Sequence, residues 1–211
     1  MIIIIIQFSN SITSGTAGED MGYGPNFPNS MAVEFDTFQN TDVGDPAGAH
    51  VGIDLQGSVT SKTYSQIGFT NGALWYAWVD YVGGGTQILQ VRVSSTATKP
   101  VNPTLQWPVN LHSIIGSSNL YVGFGGSTGS AYQTTTIDLW QFSEIAATDL
   151  QSGLAGKFYN IGVRMKKDLA SPYFASVFQL SLSFLHISQV AALLTSPCPL
   201  VLPCWRSLGI H

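Results

Sequence analysis

Between Glu34 and His50 stand five side chains of the kinds that hold metal ions: Glu34, Asp36, Asn40, Asp45 and His50. Only 9% of the chain is charged, against about 25% in an average soluble domain, so carboxylates gathered at one place carry information. Three carboxylates crowded together repel, and each makes its neighbours harder to ionise. A cationic side chain would relieve that repulsion, yet the first Lys or Arg in the sequence is Lys62. A bound cation is the other solution. Carboxylate and amide oxygens, with backbone carbonyls, suit calcium. An imidazole suits a transition ion such as manganese or zinc. The mixed set points to two adjacent sites that share carboxylates. An acidic turn beside an unrelated histidine is the plainer alternative. The calcium-loop pattern of the EF-hand is absent.

Such residues need elements that aim them at one point. Residues 31–38 alternate, with Val33, Phe35 and Thr37 on one side and Glu34, Asp36 and Phe38 on the other. That spacing predicts a half-buried strand with Glu34 and Asp36 on one face. Residues 40–46 are rich in turn formers and predict a loop that folds Asn40 and Asp45 back over that face. His50 then opens a second apolar run, residues 51–55. Further alternating runs at 73–81, 87–93, 120–124 and 134–142 are separated by turn clusters such as Gly83-Gly84-Gly85. The 22 glycines suit a turn-rich all-β domain, and the 45% apolar content supplies a sizeable core. At 211 residues the chain is one β-sandwich domain or a little more. A net charge of −4 with 8 basic residues excludes nucleic acid and an anionic membrane surface as expected partners.

The stretch from Asn29 to Pro46 reads Asn-Ser-Met-Ala-Val-Glu-Phe-Asp-Thr-Phe-Gln-Asn-Thr-Asp-Val-Gly-Asp-Pro, and His50-Val-Gly-Ile-Asp follows. Together they resemble the metal-binding segment of the legume, or L-type, lectins. The likeness continues through 75–81 and 89–93, the Lys99-Pro100 loop, 109–115, 121–129 and 137–142, and so covers residues 2–142. It implies an antiparallel jelly-roll β-sandwich that binds a mono- or oligosaccharide beside calcium (Ca2+) and a transition ion, usually manganese (Mn2+). By position, Glu34 and His50 would serve the transition ion, and Asp36 and Asp45 would bridge both ions. Asn40 and the Phe38 carbonyl would serve calcium. Ser61 is the candidate for a water-mediated contact, although the turn at Gln56-Gly57-Ser58 is one residue longer than the family's. The resemblance also implies that Asn40 and Phe38 face the sugar and that Gly18 offers a backbone N–H. The loop Gly129-Ser130-Ala131 would read sugar identity. Taken singly, the glycines suit turns or bulges, Phe38 suits a core and Ser130 an exposed surface. The family uses a further sugar-binding aspartate on a loop before the strand that residues 2–7 resemble. No residue here is matched to it, and the domain is expected to be incomplete at its N-terminus.

The domain is accordingly expected over residues 1–142, with 143–211 a tail without assigned structure. Residues 153–160 resemble the opening strand of PA14-type carbohydrate-associated modules. No charged residue occurs from Leu169 to Trp205, and 174–194 has the length of a membrane span. Polar residues dilute it and prolines follow, so no membrane anchor is expected. Cys198 and Cys204 set neither a disulfide framework nor a zinc site. The isoleucine run after Met1 lacks a basic flank and reads as a buried strand, not a signal peptide. The family resemblance implies an extracellular or secretory-pathway location; the family often pairs its back sheets into a homo-oligomer, and the oligomeric state stays open here. Two rival readings remain open. One is a structural or adhesive β-sandwich that keeps the metals without sugar affinity. The other is a jelly-roll glycoside hydrolase, whose Glu-x-Asp-x-x-Glu motif residues 34–39 approach. Retaining hydrolysis needs two carboxyl groups, and Gln39 is an amide that can serve as neither acid nor base. No enzymatic activity is expected.

Overall fold

The computed structural model describes residues 4–9, 18–83, 85–116, 121–127, 134–146, 157–168 and 185–186. The alternating runs form strands, numbered in chain order as β1 (Ile4–Ser9), β2 (Ser30–Asp36), β3 (His50–Leu55), β4 (Thr63–Gln66), β5 (Leu74–Val82) and β6 (Ile88–Ser94). After β7 (Leu105–Pro108) and a single-turn helix α1 (Leu111–Ile115) come β8 (Tyr121–Gly125), β9 (Thr134–Ala146), β10 (Lys157–Asp168) and β11 (Leu185–His186). A 3-10 turn, Gly18–Asp20, lies between β1 and β2. One sheet has the order β11-β8-β1-β2-β3-β4, the other β7-β6-β5-β10-β9. Every pairing is antiparallel. The architecture is an all-β jelly-roll sandwich.

Period-two alternation decides which residues meet between the sheets. Met31, Val33 and Phe35 of β2 and Val51, Ile53 and Leu55 of β3 face Ala77, Val79 and Tyr81 of β5 and Leu89 and Val91 of β6 in one apolar cluster. Phe69 locks the end of this layer, edge-on to Phe35 at 6.2 Å and to Trp75 at 6.4 Å. The half-buried strand expected at 31–38 is buried at every position of β2. Its outer face is covered by a second cluster, in which Met21, Tyr23 and Phe27 pack on Ala32.

β9 runs on to Ala146, past the expected domain end, and β10 lies wholly beyond it. β10 is nevertheless interior, between β5 and β9. Its pattern agrees with that place. Tyr159, Ile161, Val163 and Met165 are register partners of Tyr81, Val79, Ala77 and Trp75, whereas Asn160 and Arg164 are partners of Asp80 and Tyr76. A chain ending at residue 150 would leave β5 with an open edge and β9 detached from its sheet, an aggregation-prone arrangement. Thermal unfolding followed by circular dichroism should show that chain melting about 10 °C or more below the full chain, or failing to melt cooperatively. Equal melting would show β10 to be dispensable. No helix among the described residues is long and apolar enough to cross a membrane. Cys198, Cys204 and most of 174–194 lie outside the described residues.

Candidate metal centre

β2 and β3 pair with Glu34 opposite Gly52 and Asp36 opposite His50. Paired antiparallel residues share a face, so Glu34, Asp36, His50 and Asp54 all project from the outer side, under the covering loop. All four are buried, at 1% exposure or less. Potential ligand atoms of Glu34, Asp36 and His50 lie within 4.8 Å of one another. The loop 37–49 folds back as expected and brings Asp45 into the group. Nε2 of His50 lies 3.3 Å from Glu34 Oε1 and 3.9 Å from Asp45 Oδ1. Gly52 makes the crowding possible. A Cβ there would collide with Ser61 Oγ and Glu34 Oε1. Gly52→Ala should therefore cost about 1–3 kcal/mol by overpacking and displace Glu34. Denaturant unfolding would check this; wild-type stability would overturn it.

Ser61 reaches the centre despite the longer turn. Its hydroxyl contacts Glu34 Oε1 at 2.5 Å and Asp54 Oδ1 at 2.8 Å. One hydroxyl carries one hydrogen, so both contacts hold together only while one of the two carboxyls keeps its own proton. Complete burial favours that, raising Asp54 well above the usual carboxylate range, with the Glu34 charge adding to the effect. Burial also pushes Asp36 up to about 6, against the Phe38 N–H that stabilises its charge, and it raises Asp45.

The loop is shaped by its own carboxylates. The Phe38 N–H donates to Asp36 Oδ1 (2.6 Å) and the Asn40 N–H to Asp45 Oδ2 (2.9 Å). The Asp45 N–H in turn donates to the Asn40 carbonyl (3.2 Å). Exposed Gln39 reaches the Asp45 carbonyl through Nε2 at 3.3 Å. His50 is oriented from behind, with Nδ1 3.2 Å from the Gly48 carbonyl. A carbonyl can only accept, so Nδ1 carries the hydrogen and Nε2 is the nitrogen aimed at the carboxylates. Burial lowers the His50 pKa, but the neighbouring Glu34 more than offsets it and the net direction is upward. The 3.3 Å approach still lacks hydrogen-bond geometry, and both His50 Nε2 and Glu34 Oε2 are buried without a partner. Buried polar atoms are rarely left so. Inward-facing carboxylates with an imidazole nitrogen are the donor set a divalent cation requires, and the residues present fit one.

The Gly-rich segment 18–29 roofs the centre. Tyr23 is fully buried. Its hydroxyl donates to the Ser30 carbonyl (3.3 Å) and accepts from the Gly57 N–H (2.9 Å), tying the roof to β2 and to the turn after β3. Phe38 is partly buried against this roof. Gly18 takes a left-handed φ of 73°, and its carbonyl accepts a hydrogen bond from the Ser127 hydroxyl. Asn40 Nδ2 donates to Glu19 Oε2 at 3.4 Å. Gly129, Ser130 and Ala131 lie outside the described residues. Four residues of this neighbourhood escape the sequence reading: Gly52, Asp54, Tyr23 and Glu19. Alternation along β3 puts Gly52 and Asp54 on the His50 face and was a usable signal. Nothing local points to Glu19, which sits 21 positions from Asn40.

Residues 10–154 match the family model described as the legume lectin domain. The chain is 34% identical over 160 residues to L-type lectin-domain containing receptor kinase VIII.1 of Arabidopsis thaliana, covering 72% of this chain and 22% of that protein. It is 36% identical over 130 residues to a lectin of Leucomphalos mildbraedii, covering 62% of this chain and 49% of that one. The chain thus spans half or less of the length of these relatives. In fold it is similar to the basic winged bean lectin crystallised with Tn-antigen, with a TM-score of 0.52 at 24% identity over 79% of this chain and 62% of that one.

Proposed function

The chain belongs to the legume lectin domain family, a family of carbohydrate-binding and generally non-enzymatic proteins, and on that footing we propose that it binds a glycan through a loop braced by calcium and manganese. The observation that carries the reading is the buried set of Glu34, Asp36 and His50, with Glu34 Oε2 and His50 Nε2 unpartnered directly beneath the loop that bears Asn40. In this reading Glu34 and His50 hold the transition ion, Asp36 and Asp45 serve both ions, and Asn40 and the Phe38 carbonyl serve calcium. The cations supply positive charge that offsets the carboxylate repulsion and holds the loop in one conformation. Asn40 then has its carbonyl oxygen committed and its amide hydrogens free for a sugar hydroxyl. Phe38 presents a ring edge or face to the pyranose, and Gly18 a backbone N–H. The loop Gly129-Ser130-Ala131 selects among sugars. Preorganisation of this kind is what weakly binding polar ligands need. A place outside the cell or in the secretory pathway is consistent with this role.

The test is retention of the full chain on immobilised monosaccharides with calcium and manganese present. We expect retention on at least one sugar and its loss on adding EDTA. Retention that survives the chelator would overturn the metal-braced loop. No retention on any sugar would favour a metal-stabilised β-sandwich without sugar affinity.

A further inference from the structure

We propose that Glu19 is a sugar-contacting residue of this site, supplying the carboxylate acceptor that works beside the Asn40 amide; the proposal rests on the lectin reading. Glu19 is far from Asn40 in sequence but adjacent in space, its Oε2 accepting from Asn40 Nδ2 at 3.4 Å. Once Asn40 turns its carbonyl oxygen to a cation, Nδ2 is the side it shows to a ligand. Glu19 marks where that side points.

The chemistry of a sugar hydroxyl explains why such a pair is useful. A hydroxyl donates one hydrogen and accepts others, whereas an ionised carboxylate only accepts and an amide NH2 only donates. Set side by side they satisfy both halves of a hydroxyl and fix its orientation. Hydrogen bonds to a charged acceptor are the stronger kind, so the carboxylate would carry much of the affinity. The contact at 3.4 Å is long for a hydrogen bond, so exchanging it for two bonds to a hydroxyl sacrifices little.

The backbone that carries Glu19 is fixed on both sides. The residue sits in the middle of the 3-10 turn Gly18–Asp20. The Met21 N–H closes that turn on the Gly18 carbonyl at 3.2 Å, and the Tyr23 N–H bonds the Asp20 carbonyl at 2.6 Å. Ser127 holds Gly18 from the β8 side, and the buried Tyr23 anchors the segment to β2. Among the described residues no Lys, Arg or His forms an ion pair with Glu19; its carboxyl instead meets Asp42, whose negative charge raises the Glu19 pKa.

The experiment compares the full chain with Glu19→Gln, Glu19→Asp and Asn40→Ala. Each is tested on mannose, glucose, galactose and N-acetylgalactosamine columns with both ions, and each is melted with and without calcium and manganese. Glu19→Gln is expected to weaken retention about tenfold or more while the ion-induced rise in melting temperature stays at the wild-type value. Glu19→Asp should recover part of the lost retention. Wild-type retention by Glu19→Gln, with Asn40→Ala losing it, would overturn this proposal and leave the lectin reading standing. Loss of both retention and the ion-induced rise in Glu19→Gln would make Glu19 a metal ligand and also overturn it. If the unaltered chain is retained on none of the columns, the lectin reading fails and this proposal with it.

Discussion

Adding calcium and manganese to the metal-free chain should raise its melting temperature by about 10–20 °C, and EDTA should reverse the rise. The size follows from mass action. An ion present at about a hundred times its dissociation constant stabilises the folded state by about 2.7 kcal/mol. Two ions together give about 5 kcal/mol, and a chain of this length gains about 2–4 °C per kcal/mol. The pH dependence carries its own signature. Burial raises Asp36 from 3.8 to about 6 in the folded protein, so between those values the folded state holds a proton that the unfolded chain has released. Its contribution to stability is complete below pH 3.8 and is lost as the pH rises through about 6. The loss is on the order of 3 kcal/mol. The metal-free chain should therefore weaken between pH 4 and about 6. Saturating ions remove that loss, because a cation compensates the ionised carboxylate; they in turn are displaced by protons below about pH 6. Differential scanning calorimetry across pH 4–8, with and without ions, checks both statements. A melting temperature indifferent to both ions would sink the metal centre.

Replacing Asn40 with Ala should lower glycan affinity about a hundredfold. In the proposed site the substitution would remove an oxygen from calcium, worth about 1.5–3 kcal/mol, and a neutral donor from the sugar, worth about 0.5–1.5 kcal/mol. The loop itself should survive. The contacts of the Asn40 backbone with Asp45 do not involve the amide side chain. The manganese-dependent part of the melting shift should stay near the wild-type value, while the calcium-dependent part shrinks. Gln39→Ala is the neighbouring control. Gln39 is exposed and makes one surface contact, to the Asp45 carbonyl, so its loss should change affinity by less than about threefold. Calorimetric titration of one retained sugar into each variant decides the matter. Comparable losses in both variants would show that the loop as a whole, and not the Asn40 amide, carries binding.

Much of this arrangement is legible along the chain, and the reason is local. A strand repeats every two residues, so Glu34 and Asp36 must share a face wherever β2 is placed. The same rule places His50 with Asp54. Turn formers between them allow the chain to reverse, and the donor types are those that suit divalent cations. The identity of the metal-seeking residues, the strand pairs they sit on and the all-β class all follow from spacing of this short range. The family likeness rests on the same stretch.

Other features depend on what the tertiary structure brings against those strands. Alternation says that Ala32, Glu34 and Asp36 lie opposite the core; it does not say whether water or protein lies there. Met21, Tyr23 and Phe27 cover that face, which turns an expected half-exposed strand into a buried one and raises Asp36. Ser61 meets Glu34 only because Gly52 has no side chain to keep them apart. Glu19 meets Asn40 only because Tyr23 pins the roof over the loop. β10 reads as part of a tail until β5 and β9 are seen to flank it. Each of these is a contact between segments distant in sequence. Residue spacing records the face on which a side chain stands, whereas the partner that meets it, and hence its burial and its charge, is set by how the whole chain closes.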